Sequence, residues 1–135
     1  MIEAAFVFNE DGNVIHWHLP PGRSGGSIPD SRDLWEVLWE SRHNLGGVAH
    51  THPWNGAAWY SGTDVTTFAA CEGALGKRLV WPVITFSQVV SFKWAGPEKH
   101  NYKEVEFTLL KDEDINKLRE LSTKITVTNV NSQGG

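Results

Sequence analysis

Residues 2–8 are apolar at every position except Glu3, the pattern of a strand covered on both faces. Asp11-Gly12 then turns the chain into a second strand at 14–19, where Ile15, Trp17 and Leu19 alternate with Val14, His16 and His18. Of these two sets the first is read as the buried one, which leaves His16 and His18 exposed. A glycine-rich stretch at 20–27 follows as a loop. Asp30 or Ser31 caps a helix of about four turns, with Leu34, Trp35, Leu38, Trp39 and Leu45 at helical spacing and Gly46-Gly47 as its stop. Residues 48–52 form a short apolar run between glycine and proline, hence a buried strand, and 53–60 a loop. A second helix spans 62–75 and ends near Gly76.

Segments 79–86 and 89–94 read as an antiparallel pair, with Pro82 implying an edge or a bulge in the first. Another strand at 102–110, a charged helix at 112–122 and a last strand at 124–130 complete the series, with 131–135 as a flexible tail. The order β-β-α-β-α-β-β-β-α is that of an α/β domain, a mixed β-sheet packed by helices, with residues 1–130 forming one unit.

Composition narrows the function. In 135 residues, 12 Lys+Arg against 16 Asp+Glu give a net charge of −4, which argues against a phosphate-binding surface and so against nucleic acid. No apolar run is long enough for a membrane span, and no basic leader precedes the first strand, so a cytoplasmic location is expected. The one cysteine, Cys71, excludes an internal disulfide and any multi-cysteine zinc knuckle; in its helix it reads as a small buried hydrophobe. A metal would therefore be held by histidine and carboxylate. Of the seven tryptophans, Trp54 and Trp59 fall in the 53–60 loop, where they can grip a polypeptide, whereas Trp35, Trp39, Trp81 and Trp94 read as packing residues.

The chemistry concentrates in His50-Thr51-His52-Pro53 and Ser61-Gly62-Thr63-Asp64. Two histidines two apart on a strand project from one face and can share an ion; Asp64, one turn into the next helix, can add a third ligand if the loop folds back. Each motif also has a plainer reading. Ser61-x-x-Asp64 is a helix-capping pattern, and His-x-His is equally two polar side chains facing water. His16-Trp17-His18 has the same spacing with no Ser-x-x-Asp after it, and is read as non-ligating.

The conjunction resembles the His-x-His-Pro…Ser-x-x-Asp signature of the JAMM (JAB1/MPN/Mov34) metalloproteases, over about residues 1–110. That resemblance implies a JAMM/MPN, cytidine-deaminase-like fold, Zn2+ on His50, His52 and Asp64, and Ser61 steadying the oxyanion. It also implies Glu3 as general base, the alternative for Glu3 being a fraying terminal residue that reaches solvent. The implied function is a zinc-dependent metallopeptidase or isopeptidase, a hydrolase acting on a polypeptide or ubiquitin-like substrate. Alternatives are a non-catalytic scaffold of the same fold, or an amidase on a small molecule or cell-wall peptide. Two departures stand out. The family's helix before the Glu-bearing strand is missing, so a homodimer or partner protein is expected to cover one sheet face. The segments that clamp ubiquitin also have no counterpart here.

Overall fold

The computed structural model describes residues 1–26 and 28–123. Nine elements follow in chain order: β1 (Ala5–Asn9), β2 (Val14–His18), α1 (Arg32–Glu40), β3 (Leu45–Thr51), α2 (Gly62–Leu75), β4 (Trp81–Ile84), β5 (Val89–Trp94), β6 (Tyr102–Val105) and α3 (Asp112–Thr123). The strands form one six-stranded mixed sheet in the order β2-β1-β3-β4-β5-β6. Only β3 and β4 run parallel; all other neighbours are antiparallel. The expected mixed α/β class and element order are thus present among the described residues. The strand expected at 124–130 and the tail at 131–135 lie outside them.

Helices lie on both faces of the sheet. Leu34 and Leu38 of α1 and Val65, Phe68 and Leu75 of α2 share a core with Val7, Val83 and Phe92. On the other face Ile115 and Leu118 of α3 pack with Phe6, Phe8, Ala49 and Ile84. Two-sided cover explains why β1 is apolar throughout, and burying Phe6 and Phe8 completely stabilises the fold by roughly 1.5–3 kcal/mol per ring. Helix α3 covers this second face of the sheet.

Several expected boundaries move. The first helix ends at Glu40, where Ser41 caps it through its N–H and Oγ on the Val37 carbonyl (3.0 and 2.6 Å). Leu45 therefore opens β3 and Gly46-Gly47 lies inside that strand, not at a helix stop. A Cβ at Gly47 would sit 1.8 Å from the Val80 carbonyl oxygen, and one at Gly46 2.4 Å from that of Asn9. The pair marks close backbone approach on both sides of β3.

Pro82 is neither at an edge nor at a bulge. Strand β4 is internal, and its pairing with β3 keeps one register from Gly47↔Val80 to His50↔Val83. The N–H of Val80 reaches Gly46 (3.0 Å); Pro82, two residues on, has none to give, and the ladder skips there. Strand β6 stops at Val105, and Phe107 beyond it packs on Phe8 instead (ring centroids 5.4 Å apart). Trp39 is not a packing residue: it is 53% exposed, with the Arg42 guanidinium 3.9 Å from its ring centroid. Among the described residues no helix is long and apolar enough to cross a membrane.

Candidate metal centre

Strand β3 lies centrally, bonded to β1 on one side and β4 on the other, so its C-terminal end is held on both edges. Thr51 N–H donates to the Ala4 carbonyl and His52 N–H to that of Ile84, both at 2.9 Å. His50 and His52 therefore leave the sheet in fixed directions, on the face that carries α1 and α2. The loop that follows is tied to the β4–β5 turn: Phe86 N–H donates to Trp54 O (3.0 Å), Gly56 N–H to Ser87 Oγ (2.7 Å), and Thr85 Oγ1 to Gly56 O (2.8 Å). This anchoring folds the start of α2 back over the strand end.

Ser61 caps α2. Its Oγ accepts from Asp64 N–H (3.0 Å), and Asp64 Oδ2 accepts from Ser61 N–H (2.9 Å), a complete capping box. The capping reading is thus realised, and it coexists with the ligand reading. The same Oδ2 lies 2.9 Å from His52 Nε2 and 3.1 Å from His50 Nε2, and the two Nε2 atoms are 3.1 Å apart. Three donor atoms of a metal-binding kind meet at the corners of a small triangle. Ligand atoms of a tetrahedral ion bound at about 2.0–2.1 Å lie about 3.3 Å apart, so a change of a few tenths of an ångström admits a cation. The three residues can hold a metal ion.

Electrostatics agree with that geometry. Burial alone would raise the Asp64 carboxyl; hydrogen bonds from His50 and His52, their charge and the Ser61 N–H outweigh it and hold the group well below the usual carboxylate range. Asp64 is therefore ionised and ready to ligate. The His52 ring is buried beneath Trp54, with centroids 4.5 Å apart, and its Nδ1 has no partner among the described residues. Metal-bound histidines usually donate that second N–H, so this centre departs from the common pattern on one ligand.

Glu3 lies in the same cavity as His50, Ser61 and Asp64, a space of about 340 Å³. It does not fray into solvent, being only 7% exposed. It stands just before the β1 ladder, fixed through main-chain bonds. Glu3 N–H donates to Ser24 O (2.7 Å), Ile2 N–H to Ser122 O (2.9 Å), and Ala4 N–H to Thr51 Oγ1 (2.8 Å). Thr51 Oγ1 in turn bonds Ser122 Oγ at 2.5 Å, so the end of α3 helps to position both Glu3 and the histidine strand. Burial raises the Glu3 carboxyl above its ordinary value, against the neighbouring His50 and His52. A carboxyl so placed binds and releases a proton more readily near neutral pH than a solvated one.

Two residues take places that the sequence reading did not give them. His18, expected to be exposed, is buried. It pairs with Ala5, and Ala5 pairs with His50, so all three side chains stand in one row on the same face. His18 lines the cavity but is not among the converging ligands. Meanwhile Ile15 is exposed and Trp17 packs only partly, edge-on to Phe6.

Glu72 is a buried carboxylate that accepts from Arg78 Nη1 (3.0 Å), Leu79 N–H (2.8 Å), Trp81 Nε1 (2.9 Å) and the Tyr102 hydroxyl. Its signal was an acid set between Phe68 and Leu75 on the apolar stripe of α2. Cys71 is buried, and burial, with the charges of Glu72 and Asp30, pushes its thiol up to about 12, which makes it inert as a nucleophile. Trp54, over the His52 ring, is exposed, and so is Trp59, which packs on Tyr60 and Phe92. Compared with known protein families and with curated proteins, the chain matches none.

Proposed function

We propose that the protein is a zinc-dependent hydrolase of amide bonds, a JAMM-type metallopeptidase or isopeptidase acting on a polypeptide in a cytoplasmic setting. The observation that carries this reading is the convergence of His50 Nε2, His52 Nε2 and Asp64 Oδ2 beside the buried Glu3. Two imidazoles and one carboxylate suit zinc, and three protein ligands leave a coordination position for substrate or water, as in catalytic and unlike closed structural sites. Zinc held there supplies a Lewis acid that polarises the scissile carbonyl and acidifies a water.

The chain's own groups do the rest. The Glu3 carboxylate takes a proton from the attacking water and returns it to the leaving amine nitrogen. Ser61 Oγ spends a lone pair on the Asp64 N–H, so its own proton is free to donate to the carbonyl oxygen as negative charge develops there. The capping bond thereby sets the direction of that donor.

Elemental analysis of protein purified without chelators tests the reading. About one zinc per chain is expected, lost in His52→Ala and in Asp64→Ala. A folded parent that neither carries zinc nor takes it up would sink the proposal and leave a scaffold of the same fold.

A further inference from the structure

The cavity beside the metal centre continues past it, between the sheet and the two helices on that face. Its floor is Ala5, flanked in the row by His50 on one side and His18 on the other. Two strand spacings separate the histidines, about 10 Å. A methyl side chain between two imidazoles is what leaves the space open. Leu34, Val48, Phe68 and Trp81 make the walls, and Asp30 stands at the His18 end. No lysine or arginine lines it among the described residues. The volume, about 340 Å³, is at the low end for ligand pockets, sized for one side chain and its flanking backbone.

The polar groups that line the far end of this pocket, His18 and Asp30, offer acceptors; the Arg23 guanidinium, on the Glu3 carbonyl oxygen at 3.3 Å, lies near His18 but does not line the cavity. His18 Nε2 lies 2.9 Å from the Pro29 carbonyl oxygen, and a carbonyl cannot donate, so Nε2 carries the hydrogen. In the neutral ring Nδ1 is then a lone pair. No partner of Nδ1 is present among the described residues, so its lone pair is left for a ligand. Burial, the largest influence, together with His16 and Arg23 pushes the His18 imidazole down and so favours the neutral ring, against the Pro29 bond and Asp30. The other polar group at that end, Asp30, is a carboxylate and also accepts. A group entering past apolar walls to this end is stabilised if it brings a hydrogen-bond donor, and is penalised if it brings an acceptor or an anion.

We propose that this cavity is the specificity pocket of the centre, and that it takes a substrate side chain with an apolar stem and a hydrogen-bond donor at its tip. A tyrosine phenol and a lysine ammonium share that chemistry. The inference deepens the hydrolase reading above and rests on it for the word substrate; the pocket itself stands on His18, Ala5 and their neighbours.

The test uses side-chain analogues and two-dimensional NMR on the full chain, zinc-free and zinc-loaded: p-cresol, n-butylamine, toluene and butyrate. Either donor-tipped probe is expected to shift the Trp81 indole resonance and to bind at least tenfold more tightly than toluene or butyrate. If p-cresol leads, the pocket selects tyrosine; if butylamine leads, lysine. His18→Phe, which keeps a ring and removes the acceptor, should reduce the advantage to less than threefold. Ala5→Leu, which fills the floor, should abolish binding of all four. Equal binding of toluene or butyrate in the parent, or no probe moving Trp81 in either form, would overturn the proposal. Zinc content is measured on the same samples. Probe binding by a protein that cannot be loaded with zinc sinks only the hydrolase reading, whereas zinc uptake with no probe binding in either form sinks only the pocket.

Discussion

Replacing Glu72 examines how the fold holds the second helix against the sheet. Its Oε2 accepts from the Leu79 N–H and the Trp81 indole N–H, and its Oε1 from Arg78 and the Tyr102 hydroxyl. In Glu72→Ala the Leu79 and Trp81 donors, both on buried residues, lose their acceptor, at about 1–3 kcal/mol each. Arg78, its side chain 47% exposed, turns to water and adds little. Relief of the buried charge offsets part of the loss, so the net cost is about 2–4 kcal/mol. Glu72→Gln keeps the shape and one acceptor oxygen and should cost about half as much. Urea unfolding followed by tryptophan fluorescence reads the difference: at a typical slope of 1–3 kcal/mol per molar, the alanine midpoint falls by about 2 M. Combined with Tyr102→Phe, the loss should be clearly less than additive, because the two share one bond. An alanine variant within about 1 kcal/mol of the parent, or an additive pair, would refute this account of the network. Zinc uptake in the glutamine variant should be unchanged, since Asp64 lies two turns away, about 12 Å along the helix.

Three further outcomes follow from the same structure. The Glu3 carboxyl titrates higher folded than its ordinary value of 4.5, so its contribution to stability is fully present below about pH 4.5 and is lost as pH rises through the folded value. Glu3→Gln, with zinc removed, should therefore melt above the parent at pH 7.5 and match it near pH 4; melting curves that stay superimposed across that range would contradict it. With its thiol pushed up to about 12, Cys71 should resist a disulfide reagent at pH 8 in the native protein and react stoichiometrically in denaturant, and fast native labelling would disprove its burial. Gly47→Ala places a Cβ 1.8 Å from the Val80 oxygen, so circular dichroism melting should show loss of the cooperative transition or a drop well beyond 10 °C; a shift of a degree or two would mean that β3 and β4 are less closely apposed.

What could be read directly from the sequence was local. His50, His52, Ser61 and Asp64 announce themselves by spacing, because a period of two on a strand and a first-turn cap are set by the backbone alone. For the same reason α2 and β5 have the bounds their patterns implied. Harder to read was anything decided by a distant neighbour. Alternation in β2 shows that His16 and His18 share a face, but in a sheet with helices on both sides it cannot show which face holds the cavity. Gly46-Gly47 resembles a helix stop until Asn9 and Val80 are seen pressed against it. The interior place of Pro82 depends on β3 pairing across 33 residues of chain, from His50 to Val83. Glu72 needed Leu79, Trp81 and Tyr102 to be near before its burial made sense.

The bonds from Ile2 to Ser122 and from Thr51 to Ser122 carry a consequence for how the protein comes into being. Contacts that close nearly the whole length of a chain have high contact order and form late. During synthesis His50, His52 and Asp64 can draw together once the β4–β5 turn that anchors their loop has left the ribosome, but Ile2, next to Glu3, has no Ser122 to bond until the last turn of α3 follows. The group of His50, His52 and Asp64 is therefore assembled before the Glu3 carboxylate beside it is locked in place. A chain cut just before Ser122 would keep the three side chains together while leaving Ile2, and with it the Glu3 carboxylate, unfastened.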